Sequence, residues 1–190
     1  DRINMAVAGI NGRGRGHIYA AKALNKYFQV TALCDVDNRV FDKVRKEFPE
    51  YLTSNTKNYT DVRKLLENKD IDALSIATPD HWHAPMAIMA MNAGKHVFLE
   101  KPCSHNPQEG EWLIEVQKNT GMVLQIGNQQ RSAPTSQAVI RDIKEGIIGK
   151  ALGGAIQSIG DPRHIADVIK GILKILKQVT RIRGLRVIKF

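Results

Sequence analysis

A glycine-rich turn near the start of the chain has the residue types that bind phosphate. The apolar run Ile3–Ala8 leads directly into the segment GINGRG, residues 9–14. In a GxGxxG turn the first glycine makes the tight turn, the second lets the backbone approach a pyrophosphate, and the third allows close packing of helix on strand. Gly9 and Gly14 fill the first and third places, and Asn11 fills the second. Alone, the pattern also fits a glycine-rich turn that binds nothing.

An acidic residue after the next predicted strand favours nucleotide binding. Asp35 follows the run Val30–Cys34 and lies 21 residues after Gly14, close to the spacing of about 20 residues at which an acid bonds the ribose hydroxyls. Asp35 would repel a 2′-phosphate and so favours NAD, whereas Arg39 could pair with that phosphate and leaves NADP open. The alternative for Asp35 is a helix N-cap or a solvated loop charge.

A second group of polar residues follows two later strands. Residues 78–83 (TPDHWH) come directly after the run Ile71–Ala77, and Glu100, Lys101 and Pro102 come after His96–Leu99. The carboxyl ends of parallel strands meet at one edge of a sheet, where ligands bind in the crevice. A lysine there can orient a ribose or a reacting hydroxyl, and Glu100 can hold that lysine. The alternative is an ordinary surface lysine.

Two histidines in the same segment have a spacing that occurs in metal sites. His81 and His83 would point to one side of an extended segment and could supply half of a zinc site. No third ligand is within reach in the sequence. We therefore expect hydrogen-bonding or surface histidines and no metal.

The elements that must position these residues alternate between strand and helix. Asn106 can cap a helix with Pro107 at its first position and Glu109 at its third, and Gly94 and Gly121 stand where left-handed residues end helices. Strands that are apolar throughout and alternate with helices predict an α/β fold, a doubly wound parallel sheet of the Rossmann type. The predicted strands are 3–8, 30–34, 71–77, 96–99 and 122–126, and the predicted helices are 14–26, 39–48, 61–68, 85–93, 107–119 and 135–145.

The composition is that of a soluble globular protein, with 43% hydrophobic and 25% charged residues. No apolar run is long enough for a membrane span. Cys34 and Cys103 would be separated by one strand, roughly 10 Å, and we expect free thiols. The compartment stays open between the cytoplasm and, if a leader was removed before Asp1, the periplasm.

The character of the chain changes near residue 150. Residues 151–190 carry eight Lys/Arg against two Asp, so +6 of the net charge of +9 lies there. Apolar residues at helical spacing predict a basic amphipathic helix over 165–179, and residues 181–190 alternate as a strand would. We place the boundary of the nucleotide-binding domain, 1–150, at this change, with 151–190 as a short atypical C-terminal appendage.

Four segments together resemble a known family. They are AGINGRGRGH (8–17), ALCDVDNR (32–39), IATPDHWHAPMAIMAMNAGKHVFLEKP (76–102) and GNQQR (127–131). They are similar to the glucose–fructose oxidoreductase/inositol dehydrogenase/rhizopine-catabolism family of NAD(P)-dependent oxidoreductases, and EKP is the most specific mark. The resemblance covers residues 3–150. It implies hydride transfer between a nicotinamide and a sugar-like alcohol or ketone, with an N-terminal Rossmann domain followed by a larger substrate domain.

The resemblance also implies roles for single residues. Lys101 is the lysine that contacts the nicotinamide ribose and the substrate, and a histidine of the second domain acts as acid or base. His164 is the candidate for that histidine here, although its spacing departs from the family pattern. The cofactor-lining residues would be Gly9, Asn11, Gly12, Arg13, Gly14, Asp35, Arg39, Thr78, His81, Glu100, Lys101 and Pro102. The substrate crevice would contain His83, Asn128, Gln129 and Arg131.

The length departs from the family pattern, because only 40 residues follow Lys150. The usual substrate domain does not fit into them, so slow turnover by this chain is expected. The runner-up function is a nucleotide-binding module without catalysis of its own. Binding of nucleic acid or a membrane surface through the basic tail ranks last. The apolar stripe at 165–179 needs a cover, and we expect a second copy of the chain, hence a homo-oligomer.

Overall fold

Residues 2–147 are described by the computed structural model, and they form a parallel sheet with helices on both faces. The strands are β1 (Ile3–Ala8), β2 (Phe28–Cys34), β3 (Lys57–Tyr59), β4 (Ala73–Ile76), β5 (His96–Glu100) and β6 (Leu124–Gly127). The helices are α1 (Arg13–Ala23), α2 (Arg39–Glu47), α3 (Val62–Leu66), α4 (His83–Asn92), α5 (Pro107–Thr120) and α6 (Pro134–Lys144). Single-turn 3₁₀ helices span Asp80–Trp82 and Gln129–Ser132.

The strand order is β3-β2-β1-β4-β5-β6, and every neighbouring pair is parallel. The chain moves outward in one direction from β1 to β3 and then returns to pair β4 against the other side of β1. This reversal opens a crevice at the carboxyl ends of β1 and β4, which is where ligands bind in such sheets. The predicted doubly wound parallel sheet is confirmed.

Two apolar cores, one on each face, follow from the two-residue period of the strands. Met5 and Val7 of β1 face the core that includes residues of α1 and α2. Ala6 and Ala8 face the opposite core, which includes residues of α3, α4 and α5. Both faces of the sheet are thus buried, which explains why its inner strands are apolar throughout.

The predicted helix boundaries depend on local hydrogen bonds that the structure contains. The Asn106 side chain accepts a hydrogen bond from the Glu109 N–H at 3.0 Å, and the Glu109 carboxylate accepts one from the His105 N–H at 2.7 Å. Gly121 ends α5 with φ 66°, and Gly94 follows α4 with φ 74°. The predicted caps of these two helices are confirmed.

One strand was missed by the sequence pattern. β3 has three residues, none of them fully buried, and it pairs only with β2 at the edge of the sheet. A strand this short and polar has no apolar period by which it could be recognised. The strand order also corrects the predicted distance between the cysteines: two strands, β1 and β4, separate the ends of β2 and β5. Cys34 and Cys103 are both free thiols, as expected.

Several predictions concern residues that lie outside the described part of the chain. They are the boundary near 150, the helix over 165–179, the strand over 181–190 and the candidate His164. Between residues 2 and 147, no helix is both long and apolar enough to cross a bilayer.

Candidate nucleotide-binding site

The turn between β1 and α1 is so tight that two of its positions admit no side chain. Gly9 has φ 80°, and a Cβ there would lie 2.4 Å from the Ala77 carbonyl oxygen. A Cβ at Gly14 would lie 2.3 Å from the Gly9 carbonyl oxygen. Both clashes are with backbone, so movement of a side chain could not relieve them. The packing of β1, β4 and α1 therefore requires the first and third glycines of the turn.

The other side of the same turn is open. A Cβ at Gly12 would meet nothing within 4 Å, and both Asn11 and Gly12 are exposed. α1 begins at Arg13, so the N–H groups of its first turn face this space and bring the positive end of the helix dipole. No non-glycine residue between 2 and 147 has a positive φ, so Asn11 does not use the left-handed conformation that asparagine tolerates.

A buried hydroxyl near the turn lacks a partner within the described residues. Thr78 Oγ1 is buried and has no hydrogen-bond partner among residues 2–147. The Thr78 backbone nitrogen lies 2.6 Å from the position of a Cβ at Gly9, so this residue borders the turn. An open helix N-terminus with an unsatisfied hydroxyl beside it fits the diphosphate group of a dinucleotide.

Asp35 is joined directly to the turn. Its Oδ2 accepts a hydrogen bond from the Ile10 N–H at 3.0 Å, and its Oδ1 accepts one from the Asp37 N–H at 3.1 Å. Each carboxylate oxygen can accept a further bond, so capacity remains for two ribose hydroxyls. The acid predicted from spacing thus lies beside the glycine turn, although it also has a structural role there.

Arg39 has a partner that the sequence did not suggest. Its guanidinium donates to both carboxylate oxygens of Asp37, with Nε–Oδ1 and Nη2–Oδ2 distances of 2.8 Å. The side-chain hydrogen bond from Arg39 is the main cause that lowers the pKa of Asp37 to about 2. A 2′-phosphate would have to compete with this exposed pair for Arg39.

Replacing Asp35 tests the choice of cofactor. We expect Asp35→Ala to weaken NAD binding about tenfold or more, because hydrogen bonds from the ribose hydroxyls are lost. NADP should be penalised less, because a repulsion is removed as well. The loss of the bond to Ile10 N–H affects both cofactors alike, so the ratio of the two dissociation constants is the measurement. Asp42→Ala, at an exposed acidic residue of α2, is the control, and an equal loss for both cofactors would exclude Asp35 as the discriminating residue.

A buried polar network lies beneath the carboxyl edge, between α1 and the sheet. Ser75 and Glu100 occupy positions whose side chains face α1, and His17 of α1 meets both. His17 Nδ1 is 2.7 Å from Ser75 Oγ, and His17 Nε2 is 2.9 Å from Glu100 Oε1. The His17 ring also meets Phe98 edge-on, with ring centroids 5.2 Å apart. His17 and Ser75 are 0% exposed and Glu100 4%, so these bonds form in a low-dielectric interior.

Burial and hydrogen bonding set the charges of this network. Burial lowers the pKa of His17, against the opposing effect of Glu100. Burial alone would raise the pKa of Glu100, but hydrogen bonds from His17 and Arg13 outweigh it and lower that pKa to about 2. The consistent state is a neutral His17 that donates from Nε2 to an ionised Glu100 and accepts at Nδ1 from the Ser75 hydroxyl.

The sequence suggested that the Glu100 side chain holds the Lys101 side chain, but the structure shows other contacts for Glu100. Arg13 Nε donates to Glu100 Oε1 at 2.8 Å, whereas Lys101 contributes only a long backbone N–H contact of 3.4 Å to Oε2. With its amide oriented to match its neighbours, Gln129 accepts from Arg13 Nη2 at 2.9 Å and donates to the Gly127 carbonyl. The glutamate therefore anchors Arg13, and the exposed Lys101 side chain lies beside it at the edge.

His83 lies in the interior and not in the crevice, which corrects its predicted place. It is 1% exposed, and its Nδ1 and Nε2 lie 2.5 Å and 2.8 Å from the carbonyl oxygens of Pro102 and Thr78. Both ring nitrogens thus meet backbone, and the ring ties the segment after β4 to the segment after β5. His81 is exposed beside Trp82. Among residues 2–147, no three His, Cys, Asp or Glu side chains are grouped as metal ligands.

The remaining predicted residues lie at the carboxyl edge. Pro102 follows Lys101 through a cis peptide bond and is exposed, as are Asn128 and Arg131 after β6. His17 and Ser75 were missed as site residues. They are 58 residues apart in sequence, and neither residue type, taken alone in a helix or a strand, indicates a site. One signal could have indicated them: Glu100 ends an apolar strand, and a carboxylate buried there needs a hydrogen-bonding partner.

The network predicts a pH-dependent contribution to stability. His17 has a lower pKa folded than unfolded, so the unfolded chain binds more protons and stability falls as the pH drops below about 6.5. Below that pH, the free energy of unfolding of wild type should fall more steeply than that of His17→Gln. The difference should be at most about 1.4 kcal/mol per pH unit. Denaturant titrations between pH 7 and 5 measure this difference. Parallel curves for the two proteins would show that His17 is not buried as a neutral ring.

The chain is similar to curated proteins that are much longer than it is. It is 29% identical over 168 residues to a protein of Shewanella oneidensis named alpha-N-acetylgalactosaminidase, with 85% of this chain and 36% of that protein covered. A Shewanella pealeana protein named glycosyl hydrolase family 109 protein is 28% identical over 170 residues, with 86% and 36% covered. The chain thus spans about a third of the length of these relatives.

A solved dehydrogenase shares the fold of the described part. The structure of myo-inositol 2-dehydrogenase from Lactobacillus plantarum is 25% identical and superposes with a TM-score of 0.68, covering 79% of this chain and 43% of that one.

The family itself is shown by a sequence model. Residues 3–128 match the model of the Gfo/Idh/MocA group, described as an oxidoreductase family with an NAD-binding Rossmann fold. The matched range contains the glycine turn, Asp35, the buried network and Lys101. It extends over more than half of the chain, which therefore belongs to the Gfo/Idh/MocA oxidoreductase family and contains its NAD-binding Rossmann domain.

Proposed function

We propose that this chain is the cofactor-binding part of an NAD(P)-dependent oxidoreductase that acts on a sugar or polyol. One observation carries the proposal: the open glycine turn, the Asp35 carboxylate bonded to it and the Lys101 side chain all lie at the carboxyl edge of one sheet. A dinucleotide laid along that edge would place its diphosphate at α1 and its adenosine ribose at Asp35.

The proposed chemistry is the transfer of a hydride between a substrate carbon and the cofactor. When bound, the nicotinamide would supply the hydride acceptor or donor. Lys101 would hydrogen-bond the reacting oxygen and stabilise the negative charge that develops on it, while the hydride leaves the carbon for the nicotinamide and the hydroxyl proton passes to a base, for which His164 is the candidate in the sequence. Glu100 precedes Lys101 in the chain and is held by hydrogen bonds to His17 and Arg13. It would therefore fix the position of the Lys101 backbone. Asn128, Gln129 and Arg131 would face the substrate from β6.

The cofactor is proposed to be NAD in preference to NADP. Support comes from the Asp35 carboxylate, which would repel a 2′-phosphate, and from the engagement of Arg39 by Asp37.

The sugar class rests on the relatives, among them an inositol dehydrogenase and a protein named as an N-acetylgalactosaminidase. That second name makes glycoside cleavage the other candidate. Hydride transfer is the preferred candidate because the Lys101 side chain at the carboxyl edge suits the polarisation of a reacting hydroxyl beside a nicotinamide. A pair of catalytic carboxylates would be the signature of an ordinary glycosidase.

Turnover of a sugar panel tests the proposal. The chain would be supplied with NAD and with myo-inositol, scyllo-inositol and N-acetylgalactosamine, and NADH formation followed by absorbance. We expect slow formation from at least one of them, reduced at least about 100-fold in Lys101→Met. Lys118→Met, an exposed lysine of α5, is the matched control. Release of product from a galactosaminide without net NADH would favour the glycosidase.

Two results would contradict the proposal. Unchanged rates in Lys101→Met would remove the lysine from the reaction. Binding of NAD without NADH formation from any sugar would favour a nucleotide-binding module that has no catalysis of its own.

A further inference from the structure

A buried histidine joins two backbone segments that border the crevice. His83 is the first residue of α4 and is 1% exposed. Its Nε2 lies 2.8 Å from the Thr78 carbonyl oxygen, after β4, and its Nδ1 lies 2.5 Å from the Pro102 carbonyl oxygen, after β5. Lys101 immediately precedes Pro102 in the chain. One ring thus contacts the backbone on two sides of the candidate site.

The two joined segments border different parts of that site. The Thr78 backbone nitrogen would lie 2.6 Å from a Cβ at Gly9, so this segment borders the glycine turn. The other segment carries the exposed Lys101 side chain. The helix that begins at His83 packs in the apolar core on its face of the sheet, so the ring projects from a fixed support. His83 therefore connects the glycine-turn side of the crevice with the lysine side.

The chemistry of the two acceptors limits the protonation of the ring. A backbone carbonyl oxygen accepts hydrogen bonds and cannot donate them, whereas a neutral imidazole has one N–H. A neutral His83 would donate to Thr78 or to Pro102 and would turn a lone pair toward the other carbonyl oxygen. A ring that is protonated on both nitrogens satisfies both contacts.

Opposing contributions act on the charge of such a ring. Burial disfavours a cation, and so does the N-terminus of α4, the positive end of a helix dipole. Hydrogen bonds from an ionised donor are about twice as strong as those from a neutral donor. The neutral ring would also hold a carbonyl oxygen against a lone pair in the interior, which is costly. Two short contacts to carbonyl oxygens together favour the charged ring.

We propose that His83 is a doubly protonated positioning residue, which holds the Lys101 turn against the segment that borders the glycine turn. The inference rests on the proposed function, because it concerns the placing of the reacting lysine relative to a bound cofactor. The buried ring would act through the Pro102 carbonyl and would not touch the substrate. Two bonds from one rigid ring fix the separation of the two segments, whereas a single bond leaves the lysine turn free to shift.

The number of ring protons is tested by nitrogen-15 NMR of the wild-type chain at pH 7, with through-bond assignment of the histidine rings. We expect two ring N–H signals from His83, both slow to exchange with solvent because the ring is buried. His17 is the internal reference, since its neutral ring carries a proton on Nε2 alone. A single ring proton on His83 would overturn the inference, and the wild-type spectrum gives this result without any variant.

The positioning role is tested by separating reaction rate from cofactor affinity in His83→Gln. The glutamine amide can donate to one carbonyl but turns its own oxygen toward the other. We expect NADH formation at saturating sugar to slow at least about tenfold, since a displacement of 1 Å can cost about 100-fold. NAD affinity should change less than about threefold, because sites without shared contacts act nearly independently. His105→Gln, at an exposed histidine after β5, is the matched control and should change neither quantity.

The outcomes separate this inference from the proposed function. Equal rates in His83→Gln and His105→Gln would remove His83 from the reaction, and parallel losses of rate and NAD affinity would show a structural role alone. Either result would overturn the inference and leave the proposed function standing. Absence of NADH formation by wild type would contradict the proposed function, and the count of ring protons would still decide the inference.

Discussion

Gly12→Asp should greatly weaken NAD binding and leave a folded domain. A Cβ at this position meets nothing within 4 Å, so the new side chain enters open space and displaces no protein atom. That space is where the diphosphate would approach the N-terminus of α1, and a carboxylate there would occupy it and repel the phosphates. A negative charge at a helix N-terminus is favourable for folding. We expect a loss of at least about 100-fold in affinity, roughly 2.7 kcal/mol.

Calorimetric titration with NAD measures this loss, and circular dichroism confirms the fold. Gly12→Asn is the matched control, since it adds nearly the same volume without the charge and should lose less. Unchanged affinity in Gly12→Asp would mean that the diphosphate does not approach this turn.

Gly14→Val should destabilise the fold and not only weaken cofactor binding. The sequence pattern alone suggests that this substitution removes binding from an intact domain, since the third glycine is assigned to helix–strand packing. The structure shows why more is lost. A Cβ at Gly14 would be 2.3 Å from the Gly9 carbonyl oxygen and 3.3 Å from Val7 Cγ1. The first contact is backbone against backbone, so α1 must move away from β1 to relieve it.

We expect Gly14→Val to lower the free energy of unfolding by about 3 kcal/mol or more. The measurement is the thermal unfolding temperature of Gly14→Val compared with that of Gly12→Asp. The two variants change the same turn, but the new side chain at 14 points into the protein and the one at 12 points into open space. If Gly14→Val unfolds at the wild-type temperature, the close packing of the turn on β1 is not as described.

The inner strands and the site turn could be predicted because their signals are local. A run such as Ile3–Ala8 must be buried on both faces, and the glycine spacing that follows it, taken with Asp35, is typical of a nucleotide-binding turn. The position of Asp35 followed from its spacing of 21 residues from Gly14. β3 could not be predicted, because three polar residues at a sheet edge gain their conformation from pairing with β2 and not from their own pattern.

The partners of Glu100 show where local reasoning stops. The sequence places Glu100 beside Lys101 and suggests that the two side chains pair. In the structure the alternation of β5 turns Glu100 toward α1, where His17, 83 residues away in sequence, supplies the hydrogen bond. His83 was misplaced for the same reason, since its two carbonyl partners come from separate loops. Contacts made across the sheet depend on strand order, which the sequence pattern did not supply in full.

Calorimetric titration of the 190-residue chain with NAD, NADP and adenosine tests the central claim most directly, because it asks whether the turn, Asp35 and the crevice act together as a dinucleotide site. We predict saturable binding of NAD at one molecule per chain, weaker binding of NADP, and binding of adenosine weaker than that of NAD because the diphosphate contacts at α1 are missing. Absence of NAD binding by the folded chain, or NAD affinity no greater than that of adenosine, would contradict it.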